Sequence, residues 1–518
     1  MSAHNLPKTA LCRDLIDYGA RTHAQRTALV FEGQSRTTAQ VNALANQLAN
    51  ALLERGIGRG DMVAILLNNG LYSMALEFAC IRAGINRVPL NSRLSLAEHG
   101  KMLAGTGCRF LVHGAELGER AAALKGQFGP LACLGLGDVI DGGHDLLKTA
   151  RGMSDRAPEV EVAPDDVILT IFTSGTTGTL KAAQHTQASC AAMCFNVLDN
   201  LIDVQPDDVM LHAASLIHAS GLFVLPFWVR GGCTLIMRSF EPGEYLRLIE
   251  SAGVTAINLV PTMLHMLMQQ ETFASTDISR LRQVIYGASP MPLPVLKKAM
   301  AAWGRARFWQ YYGQTEAPLC ISVLRPEHHQ GQRLGACGRP VREAHVRIID
   351  ENGADVPPGQ SGEIIVRSPT RMRGYLNAPD LNAQTLMQDG WLRTRDRGRM
   401  DEDGFLYLLE RTSDMIITGG YNVYPREIED IVLEHPDVAE CAVIGLPDDK
   451  WVEAVTVVMV VRPGATVTNA DVLAMVRDRL ASYKKPRRII RVDAIPKTAV
   501  GKPMRQALRR QIISGLAD

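Results

Sequence analysis

Apolar positions along the first part of the chain switch repeatedly between two spacings. In "AQVNALANQLANALLERGIGRGD", Val41, Leu44, Leu48 and Leu52/Leu53 recur at helical spacing and the pattern stops at Gly56. "DMVAILL" then reads as a buried strand, "YSMALEFACIRAG" as a second helix and "INRVPLN" as another extended segment. The same rhythm returns further on, with a strand at Val167–Phe172, a helix from about Thr186, a strand at "CTLIM", a helix at "GEYLRLIESAG" and a strand at "AINLV" ending at Pro261. Strands alternating with helices predict a parallel sheet covered by helices.

After about residue 335 the pattern changes. "HVRIIDENGADVPPGQSGEIIVRS" is two alternating strands around a Pro/Gly loop, the signature of a small β-rich unit. "CAVIGLPDD", "EAVTVVMVVRPG", "DVLAMVRDRLASYKKP" and "RRIIRVDAIP" then make a β–β–α–β tail rich in Lys and Arg. We place a boundary near Arg411–Asp414, which gives an N-terminal domain over 1–412, its β-rich part over about 335–412, and a C-terminal domain over 413–518.

Composition bounds the class. A chain of 518 residues is long enough for several folding units, and 46% apolar with 21% charged residues suits a buried core. A formal net charge of +1 offers no electrostatic footprint for nucleic acid. The ten cysteines form no CxxC pair, and a chain this long needs no staples, so we expect reduced thiols and a cytoplasmic setting. "MSAHNLPKTALCRDLIDYG" has no basic-then-apolar leader pattern. The apolar run Ala219 to Val229 contains Pro226 and falls well short of the ~20 residues that span a bilayer.

One stretch asks for a chemical explanation. "IFTSGTTGTLKAA" sets Thr173, Ser174, Gly175, Thr176, Thr177 and Gly178 in an unbroken row, with Lys181 just beyond. We read this row as a loop between the strand Val167–Phe172 and a helix capped by Thr186. Glycines let the backbone approach an anion, hydroxyls donate hydrogen bonds, and a lysine adds a point charge. The spacing does not fit the Walker A pattern, because Gly175 and Gly178 are too close and no hydroxyl follows Lys181. Taken alone, the row reads as a phosphate cradle or as a plain polar turn.

The order of residues resembles the adenylate-forming superfamily of acyl-CoA synthetases, peptide-synthetase adenylation domains and luciferases, whose phosphate loop runs T-S-G-T-T-G-x-P-K-G. Five further segments follow in the family's order. "YGASP" (Tyr286–Pro290) resembles the adenine-side loop and "YYGQTE" (Tyr311–Glu316) the Y-G-x-T-E signature. "GWLRTRDRGRMDEDGFLYLLER" (Gly390–Arg411) resembles the ribose-binding segment. "MIITGGYNVYPREIE" (Met415–Glu429) matches the stretch after the hinge, and "PKTAVGKPMR" (Pro496–Arg505) the terminal lysine motif. The resemblance spans essentially the whole chain. It implies an α/β fold: a large N-terminal domain of α/β sheets with a small β-rich subdomain, plus a small mobile α+β C-terminal domain.

Carried over residue by residue, the resemblance implies an ATP site. Thr173, Ser174, Gly175, Thr176, Thr177, Gly178 and Lys181 would hold the β- and γ-phosphates. Gly287, Ala288 and Ser289 would edge the adenine with Tyr312 stacked on it. Tyr311, Gly313 and Gln314 would complete that wall, and Thr315 would touch the α-phosphate. Glu316 would hold Mg²⁺, a hard cation suited to carboxylate and phosphate oxygens. Asp396 would accept from the ribose hydroxyls, with Arg411 nearby. Lys502 would bridge the substrate carboxylate and the α-phosphate, where a positioned cation stabilises accumulating negative charge. Without the motif, Lys502 is one solvated tail lysine among many.

The implied reaction has two steps: carboxylic acid and ATP give an acyl-adenylate and pyrophosphate, and a thiol then displaces AMP. The C-terminal domain would swing between them about a hinge at Ser413, bringing in Gly419, Gly420 and Tyr421 to pass the pantetheine arm of CoA. "SYKKPRR" (Ser482–Arg488) reads either as a contact for CoA phosphates or as plain basic surface.

"SLIHASGL" (Ser215–Leu222) resembles the family's P-x-x-H-x-x-G segment, which sets His218 beside the acyl site or leaves it a satisfied core histidine. Val260, Tyr286 and Gly287 would line the same pocket. The absence of an arginine in these stretches favours an apolar monocarboxylate, a medium- or long-chain fatty acid or an aromatic one. His328/His329 and Cys190/Cys194 read as packing residues rather than metal ligands.

Departures from the pattern gather around the ribose and hinge. Leu180 and Ala182 replace the loop's proline and glycine, Arg395 and Glu410 stand where glycines precede Asp396 and Arg411, and Ser413 replaces the usual Asp or Lys. If position 395 requires positive φ, arginine there is strained. The leading expectation is an AMP-forming acyl-CoA synthetase using ATP, Mg²⁺ and CoA, with a homodimer compatible. The alternatives are an adenylating enzyme that loads a carrier protein or an amine, and a catalytically silent nucleotide-binding protein.

Overall fold

The computed structural model describes residues 11–137, 139–174, 180–288, 291–411, 414, 416–418, 421–448, 451–477, 479–480, 484–498 and 501–515, with backbone alone for residues 174, 410, 411, 417, 421, 422 and 452. The helix Thr38–Glu54 begins where Thr37 accepts from the Gln40 backbone N–H and Gln40 returns the bond, satisfying two orphan donors. Gly56 follows its end with a φ of 72°, a left-handed conformation glycine adopts without strain. Thr186 caps the helix Gln187–Asn200 in the same reciprocal way with Ser189.

Among the described residues four sheets organise the chain. One has nine strands, and its central strands Val209–His212, Ala256–Leu259, Gln283–Tyr286 and Phe308–Gln314 run parallel. A second has eight strands, with Met62–Leu66, Asn86–Pro89, Phe110–Gly114 and Val167–Ser174 parallel. Met62–Leu66, Asn86–Pro89, Phe110–Gly114, Ala256–Leu259 and Gln283–Tyr286 are buried along most of their length, the mark of parallel sheets covered on both faces. The helix Cys12–Thr22 locks onto the first sheet's helix Val224–Arg230, where Trp228 Nε1 donates to Ile16 O at 2.8 Å and stacks edge-on against Phe78.

The row Thr173–Lys181 does not lead directly into a helix. A strand, Leu180–Thr186, folds back antiparallel on Val167–Ser174, setting Lys181 opposite Thr173. Thr173 and Ser174 therefore end one strand, and Lys181 stands on the next. The small alternating residues of "LKAAQHT" suit a tightly covered strand, with Ala182, Ala183 and His185 buried.

The third sheet joins His345–Ile349, Ser361–Arg367, Leu392–Met400 and Leu406–Arg411, all antiparallel. Its alternation buries Thr394 and Asp396 while Arg395 is exposed. The fourth sheet carries the C-terminal unit, built on the long pair Val438–Asp448 and Val452–Val461. There Arg505 donates to both carboxylate oxygens of Glu429, at 2.8 and 2.7 Å, with both side chains largely buried. That bidentate pair ties the end of "MIITGGYNVYPREIE" to the end of "PKTAVGKPMR". A large α/β N-terminal part and a smaller C-terminal part match the expected fold class.

Candidate functional site

The parallel strands of the nine-stranded sheet all end on the same side, and in open α/β sheets that side is where ligands bind. His212, Leu259, Tyr286 and Gln314 are their last residues. Beyond Gln314 the chain reverses within two residues, because Gln314 already pairs with Ala317. Thr315 and Glu316 therefore occupy a hairpin tip. Two main-chain bonds hold that tip: His185 Nε2 donates to Thr315 O at 2.8 Å, and Met372 N donates to Glu316 O at 2.8 Å. Burial pushes the His185 imidazole down to about 4, so it stays neutral and keeps the Nε2 proton for that bond.

Gly313 and Gly287 are both required by close approach. A Cβ on Gly313 would lie 2.1 Å from Leu319 O, and one on Gly287 would lie 2.6 Å from Tyr311 O and 2.8 Å from the Tyr311 ring. Ala288 has a φ of 64°, strained for a residue with a Cβ. Tyr311 is buried, packed edge-on against Phe223 and hydrogen-bonded to Asn258. Tyr312 is buried and its hydroxyl donates to Asp396 Oδ2 at 2.7 Å. Burial and the adjacent Asp396 charge both raise the Tyr312 phenol, so it remains the donor. Asp396 lies across the sheet from Arg411 in register. Arg395 holds a φ of 60° and its guanidinium donates to Gln384 O at 2.9 Å, so the arginine sits in the left-handed region in place of the family's glycine.

Glu316 accepts from the Tyr375 hydroxyl through Oε1 at 2.5 Å. Lys181 Nζ lies 5.8 Å from the centre of the same Tyr375 ring. Among the described residues there is no group of three or more His, Cys, Asp or Glu able to enclose a metal. A single carboxylate such as Glu316 is nevertheless a hard oxygen donor of the kind that suits Mg²⁺, an ion that takes other oxygens for the rest of its shell.

His218 is half-buried, and Asn91 Nδ2 donates to its Nε2 at 3.1 Å. Burial, with a smaller push from Arg93, lowers its imidazole to about 4. Val260 caps the helix Pro261–Leu267 at the end of the Ala256–Leu259 strand. The Tyr286 ring is buried in the core and its hydroxyl lies 2.9 Å from His329 Nε2 and 3.3 Å from Gln310 Oε1.

The terminal motif approaches the helix Pro261–Leu267. Gly501 has a φ of 79°, and a Cβ there would lie 2.5 Å from Thr262 Oγ1, just past Val260. Lys502 follows immediately, in a turn where Lys502 N donates to Thr498 Oγ1 (3.1 Å) and Thr498 N donates to Lys502 O (2.8 Å). Arg426 also crosses to the N-terminal part, donating to Met291 O. In the basic run, Lys484 pairs with Glu427, Arg488 with Asp448, and Arg487 covers the Trp451 ring.

Gly175, Thr176, Thr177, Gly178, Ser289, Ser413, Gly419 and Gly420 lie outside the described residues, as do the side chains of Ser174, Arg411 and Tyr421. Tyr375, Asn91, His185 and Thr262 lie against candidate residues or their neighbours and were not singled out from sequence. Each is an ordinary residue locally, and only "RGYLN", a short motif after the β-rich hairpin, offers any local mark for Tyr375.

The ordered motifs, set on this α/β fold, mark an adenylate-forming enzyme. The chain belongs to the AMP-binding enzyme family, whose model matches residues 16–376, with the family's C-terminal domain matching residues 427–502. It is 37% identical over 513 residues to the medium/long-chain-fatty-acid–CoA ligase FadD8 of Mycobacterium tuberculosis, covering 96% of this chain and 89% of that protein. It is 36% identical to a feruloyl-CoA synthase of Amycolatopsis, covering 95% and 97%. Among solved structures, the amide bond synthetase McbA of Marinactinospora thermotolerans superposes with a TM-score of 0.88 at 32% identity, covering 97% of this chain and all of that one.

Proposed function

We propose that the chain is an AMP-forming acyl-CoA synthetase that activates a fatty or aromatic carboxylic acid with ATP and passes the acyl group to CoA. The observation that supports this reading is the close approach of Gly501, the residue before Lys502, to Thr262 on the helix that Val260 caps. In this reading Asp396, oriented by the Tyr312 hydroxyl, accepts from the ribose. Lys181 and the Thr173–Gly178 row hold the terminal phosphates, and Glu316 holds the Mg²⁺ that accompanies ATP. When bound, that ion neutralises phosphate charge. Lys502 sits between the attacking carboxylate and the α-phosphate, two anions that a fixed cation draws together as charge builds. Neutral His218, tied to Asn91, lines the acyl pocket and presents an uncharged ring to an apolar acid.

The second step requires Lys502 to leave. We place the swing at Ser413, with Gly419, Gly420 and Tyr421 forming the passage for the CoA arm. The boundary between the two moving parts falls at 412/413. Ten free thiols suit a cytoplasmic enzyme, and a homodimer fits the reading. Among the described residues no helix is long and apolar enough to cross a membrane.

ATP–pyrophosphate exchange across short, medium, long and aryl acids tests the first step, and mass detection of the acyl-CoA tests the second. No exchange with any acid, despite ATP binding, refutes the proposal. The likeness to an amide bond synthetase favours a second reading, transfer to an amine. Exchange with an acid that yields amide but no thioester would establish it.

A further inference from the structure

Tyr375 stands between the strand that carries Lys181, the Glu316 hairpin tip and Asn382. It enters on the two-residue strand Gly374–Tyr375, which pairs with Gln184 and Ala183, close to Lys181. The backbone around it is clamped. Arg373 N donates to Gln184 O and Leu376 N to Ala182 O, each at 2.8 Å. Asn382 accepts from Tyr375 N at 2.7 Å and donates to Tyr375 O at 2.8 Å. Met372, three residues earlier, donates to Glu316 O at 2.8 Å. Tyr375 is 6% exposed, so the ring has little freedom.

Both ends of that fixed ring meet residues assigned to the nucleotide. The hydroxyl donates to Glu316 Oε1, and the ring face lies within cation–π range of Lys181 Nζ. Glu316 sits on a two-residue hairpin tip between Gln314 and Ala317. A phenol–carboxylate bond is strong and directional, so it selects one orientation of the carboxylate. It occupies one oxygen. Oε2 has no hydrogen-bond partner among the described residues.

We infer that Tyr375 is a positioning residue: its hydroxyl fixes the Glu316 carboxylate so that Oε2 is presented to the divalent cation carried by ATP, and its ring seats Lys181. This rests on the reading of Glu316 and Lys181 given above. Groups that orient a metal-binding carboxylate change metal affinity by about 10- to 100-fold when removed.

The full-length protein with Tyr375→Phe and with Tyr375→Leu separates the two parts, since phenylalanine keeps the ring and drops only the hydroxyl. Mn²⁺ serves as the probe: its binding to ATP-saturated enzyme is titrated by electron paramagnetic resonance, and metal-free ATP binding is measured by calorimetry in EDTA. Y375F should bind Mn²⁺ about tenfold more weakly, with metal-free ATP affinity within about twofold of wild type. Y375L should lose a further two- to fivefold or so in metal-free ATP affinity, as Lys181 loses its seat. Y375F binding Mn²⁺ as wild type does, or losing metal-free ATP binding in the same proportion, overturns the inference. Wild-type protein that binds no Mn²⁺·ATP overturns the nucleotide reading of the site itself.

Discussion

Substituting Gly501 by alanine perturbs the placement of Lys502 without touching a charged group. Two costs are separable. The first is local: Gly501 has a φ of 79°, and a residue with a Cβ in that region carries about 1–2 kcal/mol of strain wherever the turn persists. The second exists only while the terminal loop is docked. The new methyl would lie 2.5 Å from Thr262 Oγ1, 3.3 Å from its Cγ2 and 3.4 Å from its Cβ, so the loop or the helix must shift. Overpacking of this kind costs about 1–3 kcal/mol, which corresponds to a slowing of about 5- to 150-fold. The slowing should fall on the adenylation half-reaction, read as ATP–pyrophosphate exchange. The thioester half-reaction, started from a synthetic acyl-adenylate and CoA, needs Lys502 withdrawn and should be far less affected. Thr262→Ala removes Oγ1 and Cγ2, leaving only the 3.4 Å contact, which is ordinary van der Waals distance. The double variant G501A/T262A should therefore recover most of the exchange rate relative to T262A, keeping only the φ strain. Equal slowing of both halves, or no recovery in the double variant, would refute the idea that this contact seats the lysine.

Other outcomes follow from the same geometry. Lys502→Ala should depress exchange by about 10²–10³-fold, the range for losing one transition-state charge contact, while thioester formation from acyl-adenylate survives; intact exchange would remove Lys502 from the mechanism. Tyr312→Phe strips Asp396 of a buried donor and should raise the KM for ATP about tenfold with kcat little changed, measured by steady-state kinetics. Arg395→Gly relieves a φ of 60° and should stabilise the fold by about 1 kcal/mol, seen as a rise in Tm; a fall would mean that the bond to Gln384 outweighs the strain. Burial lowers His185, His218 and His329 to about 4 from 6.5. The unfolded chain then binds more protons below 6.5, so stability present at neutral pH is lost as pH falls toward 4. Near pH 5 the loss is on the order of 2 kcal/mol per histidine, and equal urea midpoints at pH 7 and 5 would contradict it.

What the residues determine alone is local and periodic. The spacing of Val41, Leu48 and Leu52 makes a helix in any compact context, and a glycine with φ of 72° at Gly56 lies beyond its end. The strands "DMVAILL" and "AINLV" are legible because a strand buried on both faces must be apolar throughout. The ordered motifs likewise singled out Glu316, Asp396 and Lys502 as candidates, since their residue types and spacing survive in one dimension. The strain at Arg395 was legible too, as a glycine position filled by arginine.

Pairing between distant segments decided the rest. Whether Lys181 precedes a helix directly or stands on a strand depends on what pairs with Val167–Ser174, and that choice is made by main-chain hydrogen bonds no local pattern announces. Tyr375 has an unremarkable sequence neighbourhood, and becomes a partner of both Glu316 and Lys181 because sheet pairing delivers it there. Gly501 and Thr262 are far apart in the chain, and their contact exists only because the C-terminal unit packs on the ends of parallel strands. Side-chain chemistry is written residue by residue, but a carboxylate, a phenol and a lysine act as one site only after the backbone has closed the distances between them.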